Sequence, residues 1–301
     1  MNIYTYIIGT GYLSDHLKKK INNSKVISAN DFINDIETYN NSKNKFNLVI
    51  NSFFPTKKLS YFDSYVIFTK KAILEVANLL DLLDPIKVNK IIYTSSSSIY
   101  GSLNNNINQI DDNNRKIYAG FKISVELLIK NYCNKKGISL HICRVFNLYG
   151  KDNEFSIIEK IKNANKNKNK IEIFNQGSSL RDFIHIDDVV KIYIKILKEL
   201  SDSGVYDIGT GKGISVSEIL NKLKFNKKYL IYKRKKINEI FDSIADNRSL
   251  LKKIKKIKFK KIEDYLKIKE QLDYKKISNK NYIENNLTGS IIYGAGFSGK
   301  K

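Results

Sequence analysis

Cysteine, acidic side chains and long apolar runs are what this sequence has least of. Of 301 residues only two are cysteines, Cys133 and Cys143. Neither belongs to a CxxC pattern or has a histidine partner. The sequence therefore carries no disulfide framework and no metal-ligand set, and buried free thiols in a reducing compartment are expected. No stretch approaches the roughly 18 apolar residues of a membrane span, so no membrane insertion is expected. The opening MNIYTYIIGTGYLS has no basic leader and runs straight into a glycine turn, which predicts a cytoplasmic chain without a signal peptide. Acids are outnumbered by bases, 30 against 53, giving a formal charge of +23. A nucleic-acid surface is one reading of that charge. The lysines, however, are spread along the chain among Asn and Ile, as in ANKNKNK (164–170) and KKIKKIKFKK (252–261), which reads as biased composition. No nucleic-acid partner is expected, and a general positive field suits an anionic substrate.

What is present is a foldable chain. Hydrophobic residues make up 42%, the globular range, and the length suits one two-lobed enzyme. Strand and helix patterns alternate through the first half. Apolar runs at Ile3–Ile8, Lys25–Ser28, Phe46–Asn51, Lys90–Thr94 and Ile138–Cys143 read as strands. Helical spacing joins Leu13, Leu17 and Ile21, then Ile67 to Leu80 ahead of Pro85, then Phe121 to Tyr132 ahead of Gly137. This rhythm predicts an α/β fold: a Rossmann-type doubly wound parallel sheet with a smaller α/β substrate-binding lobe. Residues 1–150 are expected to form this Rossmann-type domain, with returning segments near 182–208. Residues 151–268 are expected to form mainly the smaller lobe, and 269–301 a basic tail.

Two glycine motifs stand out. Gly9-Thr-Gly11-Tyr12-Leu13-Ser14 follows the first strand and opens the first helix, the context in which backbone N–H groups cradle a pyrophosphate. Serine replaces the third glycine. Asp31 is the nearest acid at the distance expected of a ribose ligand, although a surface turn is as good a reading, so NAD is expected with NADP left open. The only full GxGxxG, Gly294 to Gly299, is followed by just two lysines. It has no helix to complete it and reads as a bland tail or the opening of a second nucleotide-binding domain.

Tyr118 and Lys122 lie four apart, on one face of a predicted helix. A tyrosine ionises near ~10, so it needs a neighbouring cation to act as a base. Ser96 at the end of the preceding strand can orient a substrate oxygen. With 19 tyrosines the Tyr-x-x-x-Lys spacing alone says little. The order of glycine turn, serine-rich strand end and Tyr-x-x-x-Lys says more.

Further landmarks follow in sequence: YTSSSSIYG (93–101), YAGFK (118–122), RVFNLYG (144–150), LRDFIHIDDV (180–189), YDIGTGKGISVSEI (206–219) and IADNRSLLK (244–252). In these the chain resembles the extended short-chain dehydrogenases/reductases of the NAD-dependent epimerase/dehydratase group, from about residue 3 to 268. The resemblance implies roles. Ser96, Tyr118 and Lys122 would be catalytic, with Tyr118 and Lys122 also at the cofactor beside Gly9, Gly11, Tyr12 and Leu13. Ser97, Asn147, Arg181 and, on a looser match, Lys236 would meet the substrate. The bland alternative for Arg181 is a salt bridge to Asp182 or Asp187; His185, Asp187 and Asp188 read as caps and hydrogen-bonders of the fold. The group's dehydratases carry Asp-Glu after the catalytic Thr, and here Ser97 and Ser98 stand there, which disfavours elimination of water. The expectation is a C4 epimerase of a nucleotide-diphosphate sugar in surface polysaccharide or deoxysugar biosynthesis. A 4-keto-sugar reductase and a non-catalytic dinucleotide sensor are the alternatives, and the resemblance further implies a homodimer.

Overall fold

The apolar runs of the first half line up as neighbouring parallel strands, because each is bounded by turn residues and has two faces to bury. The structure, a computed structural model, describes residues 3–51, 65–101, 113–234, 242–254 and 257–266. Lys236 and the C-terminal glycine motif lie outside the described residues. The chain divides into Met1–Lys260 and Lys261–Lys301; of the second unit, residues 261–266 are described and include a helical turn.

In chain order the first half comprises β1 (Tyr4–Ile8), α1 (Tyr12–Lys18), β2 (Ser24–Ile27), α2 (Ala29–Asn34), α3 (Ile36–Asn40), β3 (Phe46–Ile50), α4 (Tyr65–Thr69), α5 (Glu75–Leu82), β4 (Val88–Ser96), α6 (Asn113–Lys136) and β5 (Ser139–Val145). A π-helical turn, Lys70–Leu74, joins α4 to α5. The second half comprises β6 (Asn147–Tyr149), α7 (Ile157–Asn167), β7 (Ile171–Phe174), β8 (Leu180–His185), α8 (Ile186–Glu199), β9 (Gly204–Ile208), β10 (Gly213–Ser215), α9 (Val216–Lys222), β11 (Leu230–Lys233), β12 (Asp242–Ser243) and α10 (Arg248–Lys253).

The main sheet has the order β2-β1-β3-β4-β5-β9, parallel throughout. Phe32, Tyr39, Leu79 and Ile129 bury one face, from α2, α3, α5 and α6. Leu13, Leu17, Val189 and Tyr193 bury the other, from α1 and α8. This is the doubly wound arrangement. Because β2 and β3 flank β1 on opposite sides, the winding reverses between β1 and β3. Such a reversal opens a crevice at the carboxyl ends of the strands, where ligands of this architecture bind. The Gly9 turn leaves β1 there, and Asn51 leaves β3 beside it.

Helix α6 positions much of the site. Val125, Ile129 and Cys133 are buried at four-residue intervals, so the same stripe that anchors the helix continues back to Lys122. Gly137, at φ +65, reverses the chain into β5. Cys133 and Cys143 are buried free thiols on α6 and β5. Beyond β5, β8 pairs with β6, β10 and β12, and β7 pairs with β11. Among the described residues no helix is long and apolar enough to cross a membrane.

Candidate active site

Strand β4 carries its polar end, Thr94 to Ser96, to the carboxyl edge of the sheet. Thr94 and Ser95 are buried there. Ser96 is extended and caps a single 3-10 turn, Ser97–Tyr100. Its Oγ accepts from the Ser98 N–H at 3.2 Å and from the Ser98 hydroxyl at 2.9 Å. Ser97 opens the turn and is half-buried.

Tyr118 on α6 lies near enough to Ser96 for the two hydroxyls to interact. One turn on, Lys122 is buried, and its Nζ donates to the Thr94 carbonyl at 3.0 Å. That ammonium lies 5.0 Å from the Tyr93 ring centroid and 5.9 Å from that of Tyr118. The three side chains expected to act together are thus brought together. Burial pushes the Tyr118 phenol up to about 12, with the Ser96 hydroxyl pulling the other way. Burial drags Lys122 down to about 8, against an opposing pull from Glu126. Burial thus favours the neutral form of both groups, and a phenolate at Tyr118 depends on a neighbouring cation.

The glycine turn sits at the reversal of the sheet. Gly9 and Gly11 take φ of +102 and +147, conformations that L side chains rarely adopt. The space where a Cβ of Gly11 would stand is open. Gly11 caps α1 without any side-chain bond to its first N–H groups, so those of the first turn face outward. Leu13 lends only its backbone, since its side chain is in the core. The Tyr12 ring packs on His16 at 4.5 Å, and its hydroxyl is buried without a hydrogen-bond partner among the described residues. A turn with left-handed glycines, open space at Gly11 and, among the described residues, no side-chain cap on α1 fits a dinucleotide pyrophosphate.

Asp31 sits within α2 rather than at the end of β2. Its carboxylate accepts from the Ser28 hydroxyl at 2.6 Å, while its N–H donates to Ser28 Oγ at 3.1 Å. The pair is an exposed helix-capping arrangement, and Ser28 is the residue that follows β2.

Asn147 and Arg181 line one cleft of about 210 Å³, together with Phe174 and Val216. Asn147 Nδ2 donates to the Asp182 carbonyl at 3.0 Å. The acids that were the alternative partners of Arg181 are engaged elsewhere. Asp187 pairs with Lys260 at 2.5 Å. Asp182 is fully buried and accepts from Thr210 N, Thr210 Oγ1, Gly211 N and Ala245 N at 2.9, 2.7, 2.8 and 3.3 Å. His185 caps α8 by accepting from the Asp187 N–H, and buried Asp188 pairs with Lys191 at 2.9 Å.

Sequence reasoning passed over three participants. Phe174 presents a partly exposed ring to the cleft. Asp182 organises the loop after β9. The third is the ion pair of Glu126 and Arg144 behind the site, at 2.7 Å. Glu126 stands four residues past Lys122, a spacing that was readable; its arginine, 18 residues on, was not.

The model of the NAD dependent epimerase/dehydratase family matches residues 32–209. The chain is 29% identical over 260 residues to a dTDP-D-glucose 4,6-dehydratase of Dictyostelium discoideum, covering 71% of this chain and 60% of the relative. It is 30% identical over 185 residues to a UDP-glucuronate 4-epimerase of Thermodesulfobacterium geofontis, covering 58% and 57%. The matches thus span about three-fifths of these relatives' lengths. Among solved structures, MoeE5 in complex with UDP-glucose and NAD superposes with TM-score 0.70 at 20% identity, covering 87% of this chain and 96% of that one. A UDP-glucose 4-epimerase of Thermotoga maritima superposes with TM-score 0.69 at 18% identity, covering 91% and 100%. At such identities the superpositions show a shared fold.

Proposed function

The chain belongs to the NAD-dependent epimerase/dehydratase family, and from that membership we propose that it is an epimerase acting at C4 of a nucleotide-diphosphate sugar. Surface polysaccharide or deoxysugar biosynthesis is the setting such a substrate implies. The observation that carries the reading is the junction of Ser96, Tyr118 and Lys122 at the carboxyl end of β4.

Gly9, Gly11 and the first N–H groups of α1, at Tyr12 and Leu13, are the residues to hold NAD. When bound, NAD supplies the acceptor and donor of a hydride at the sugar carbon. The chain's own residues handle the proton. Ser96 holds the sugar oxygen, and Tyr118 takes the hydroxyl proton during oxidation and returns it during reduction. The Lys122 ammonium favours the phenolate that the first half-reaction requires. Asn147 and Arg181 share a cleft suited to a diphosphate, the guanidinium fork matching its oxygens. The Phe174 ring offers a base a flat face in the same cleft. The side chains after Ser96 are the hydroxyls of Ser97 and Ser98, which supply no carboxyl acid for expelling water.

A homodimer is part of the proposal. Ile67, Leu74 and Leu127, on the helices that carry and flank Tyr118, are 59%, 54% and 61% exposed, an apolar set that a second copy would bury. Sedimentation of the full chain reads the assembly.

The activity is tested by native mass spectrometry of the purified chain, followed by a panel of UDP-, dTDP-, GDP- and CDP-sugars. Co-purified NAD and epimer formation without added reductant support the proposal. Consumption of NADPH on a 4-keto sugar, without epimerisation, replaces it with a reductase. Bound NAD with no conversion of any sugar replaces it with a sensor.

A further inference from the structure

Lys122 is a lysine in a buried seat, 7% exposed. From β4 it faces the Tyr93 ring and the Thr94 carbonyl. From the α4–α5 helix it faces apolar Ala72 and Val76, which line the same small pocket. From its own helix it faces Tyr118 one turn before and Glu126 one turn after. Glu126 is the carboxylate of this group, and it is 6% exposed.

The Glu126 carboxylate is fixed from behind. Arg144 on β5 donates Nε to Oε1 at 3.2 Å and Nη2 to Oε2 at 2.7 Å, a two-point clamp. Its remaining nitrogen, Nη1, donates to the Tyr100 hydroxyl at 2.9 Å, and Tyr100 donates to Asp207 at 2.5 Å. Tyr100 closes the 3-10 turn that Ser96 caps. One guanidinium thus grips both the residue a turn beyond Lys122 and the turn next to Ser96.

We propose that Glu126, clamped by Arg144, is a positioning residue: the fixed counter-charge that keeps Lys122 protonated in its buried seat, tied through Tyr100 to the loop that carries Ser96. The inference rests on the reading of Lys122 as part of the proton-transfer centre. Residues four apart on a helix are neighbours, so an anion at position 126 acts on Lys122 through protein rather than water. The Arg144 charge opposes this less strongly, because its side chain is 23% exposed and better screened by water than the 8% exposed Glu126 side chain. Burial alone drives Lys122 toward its neutral form, and Glu126 works against that. A neutral lysine would leave Tyr118 without a cation to favour its phenolate.

The test is the titration of Lys122 in the full chain, followed by NMR of lysines labelled with 13C at Cε, the resonance being assigned with Lys122→Arg. In the wild type Lys122 is expected to be charged at pH 7. In Glu126→Gln its midpoint falls by about one unit or more, the scale of a lost neighbouring charge. In Tyr100→Phe, which loosens Arg144 but leaves the Glu126 charge, the midpoint stays. A Lys122 midpoint unchanged in Glu126→Gln overturns the proposal, as does an equal fall in Tyr100→Phe. Should Glu126→Gln fail to fold, Glu126→Asp decides: its shorter side chain draws the carboxylate away from Lys122, so the midpoint is expected to fall, and an unchanged midpoint overturns the idea. No sugar nucleotide enters this measurement, so a failure of the epimerase reading shows up separately, as absence of turnover. Where turnover is found, the alkaline limb of the kcat profile moves to lower pH in Glu126→Gln, a shift that mere destabilisation does not produce.

Discussion

The Ser14 hydroxyl donates to the Gly9 carbonyl at 2.5 Å and accepts from Asn51 Nδ2 at 2.5 Å. Ser14 stands where the dinucleotide fingerprint has its third glycine, and it is fully buried. It stitches the turn after β1 to the end of β3, the two sides of the crevice at which the sheet reverses. Removing the hydroxyl leaves a buried amide and a buried carbonyl short of a partner. Ser14→Ala is therefore expected to lower unfolding stability by about 1–3 kcal/mol and to weaken NAD binding. Urea titration and calorimetry with NAD check both. Unchanged values in both would mean that the stitch contributes nothing.

Tyr118→Phe keeps the ring against Phe68 and Ala72 and removes only the hydroxyl that meets Ser96. Turnover on any accepted sugar nucleotide is expected to fall by roughly 10²–10⁴-fold, the usual worth of a positioned acid–base group. NAD binding is expected to persist, since the glycine turn is untouched. Steady-state rates set beside NAD affinity separate the two. Full activity in the variant would remove Tyr118 from the chemistry.

The first half of the chain was readable because its strands are short apolar runs with turn residues at each end. Their predicted limits fall within two residues of β1 to β5. Tyr118 and Lys122 stand out by their order along the chain rather than by their spacing, and the structure places them one turn apart on α6. Asp31 shows the limit of counting: the expected distance is met, yet the chain has already turned into α2, and the acid caps that helix with Ser28. Asp182 shows a deeper limit. In LRDF it looks like a surface acid next to an arginine, but its donors arrive from Thr210, Gly211 and Ala245, far along the sequence. Burial and partners of that kind are properties of the fold, not of the local pattern.

That hub yields a third prediction. Asp182 takes N–H and O–H donors on both carboxylate oxygens, and its backbone carbonyl receives Asn147. In Asp182→Asn an amide NH2 replaces one acceptor and points at N–H groups, leaving buried donors unmatched. A loss of about 2–4 kcal/mol is expected, with a rise in KM for the sugar nucleotide as Asn147 and Arg181 lose their footing. Urea unfolding and initial rates read the two effects. A variant as stable as the wild type would contradict the role given to the carboxylate.

Acid should destabilise the fold well before its carboxylates titrate, and His141 is the reason. The ring is fully buried in the sheet, near-parallel to Tyr206 at 6.0 Å between centroids. Its Nε2 meets Ser139 Oγ at 3.2 Å, and its Nδ1 is buried without a partner among the described residues. Burial above all, then the charges of Lys90 and Lys253, push it down to about 4 from the ordinary 6.5. The unfolded chain therefore binds a proton near 6.5 that the folded chain refuses until about 4. The stabilisation is complete above the first value and is lost as pH falls through this window, up to about 3 kcal/mol for the single group. Burial moves His185 in the same direction, so His141→Gln should reduce the slope of stability between pH 6.5 and 4 without abolishing it. Urea unfolding at pH 7.5, 6 and 5 on the wild type and this variant measures the difference. Identical slopes would show that His141 already carries its proton in the folded chain.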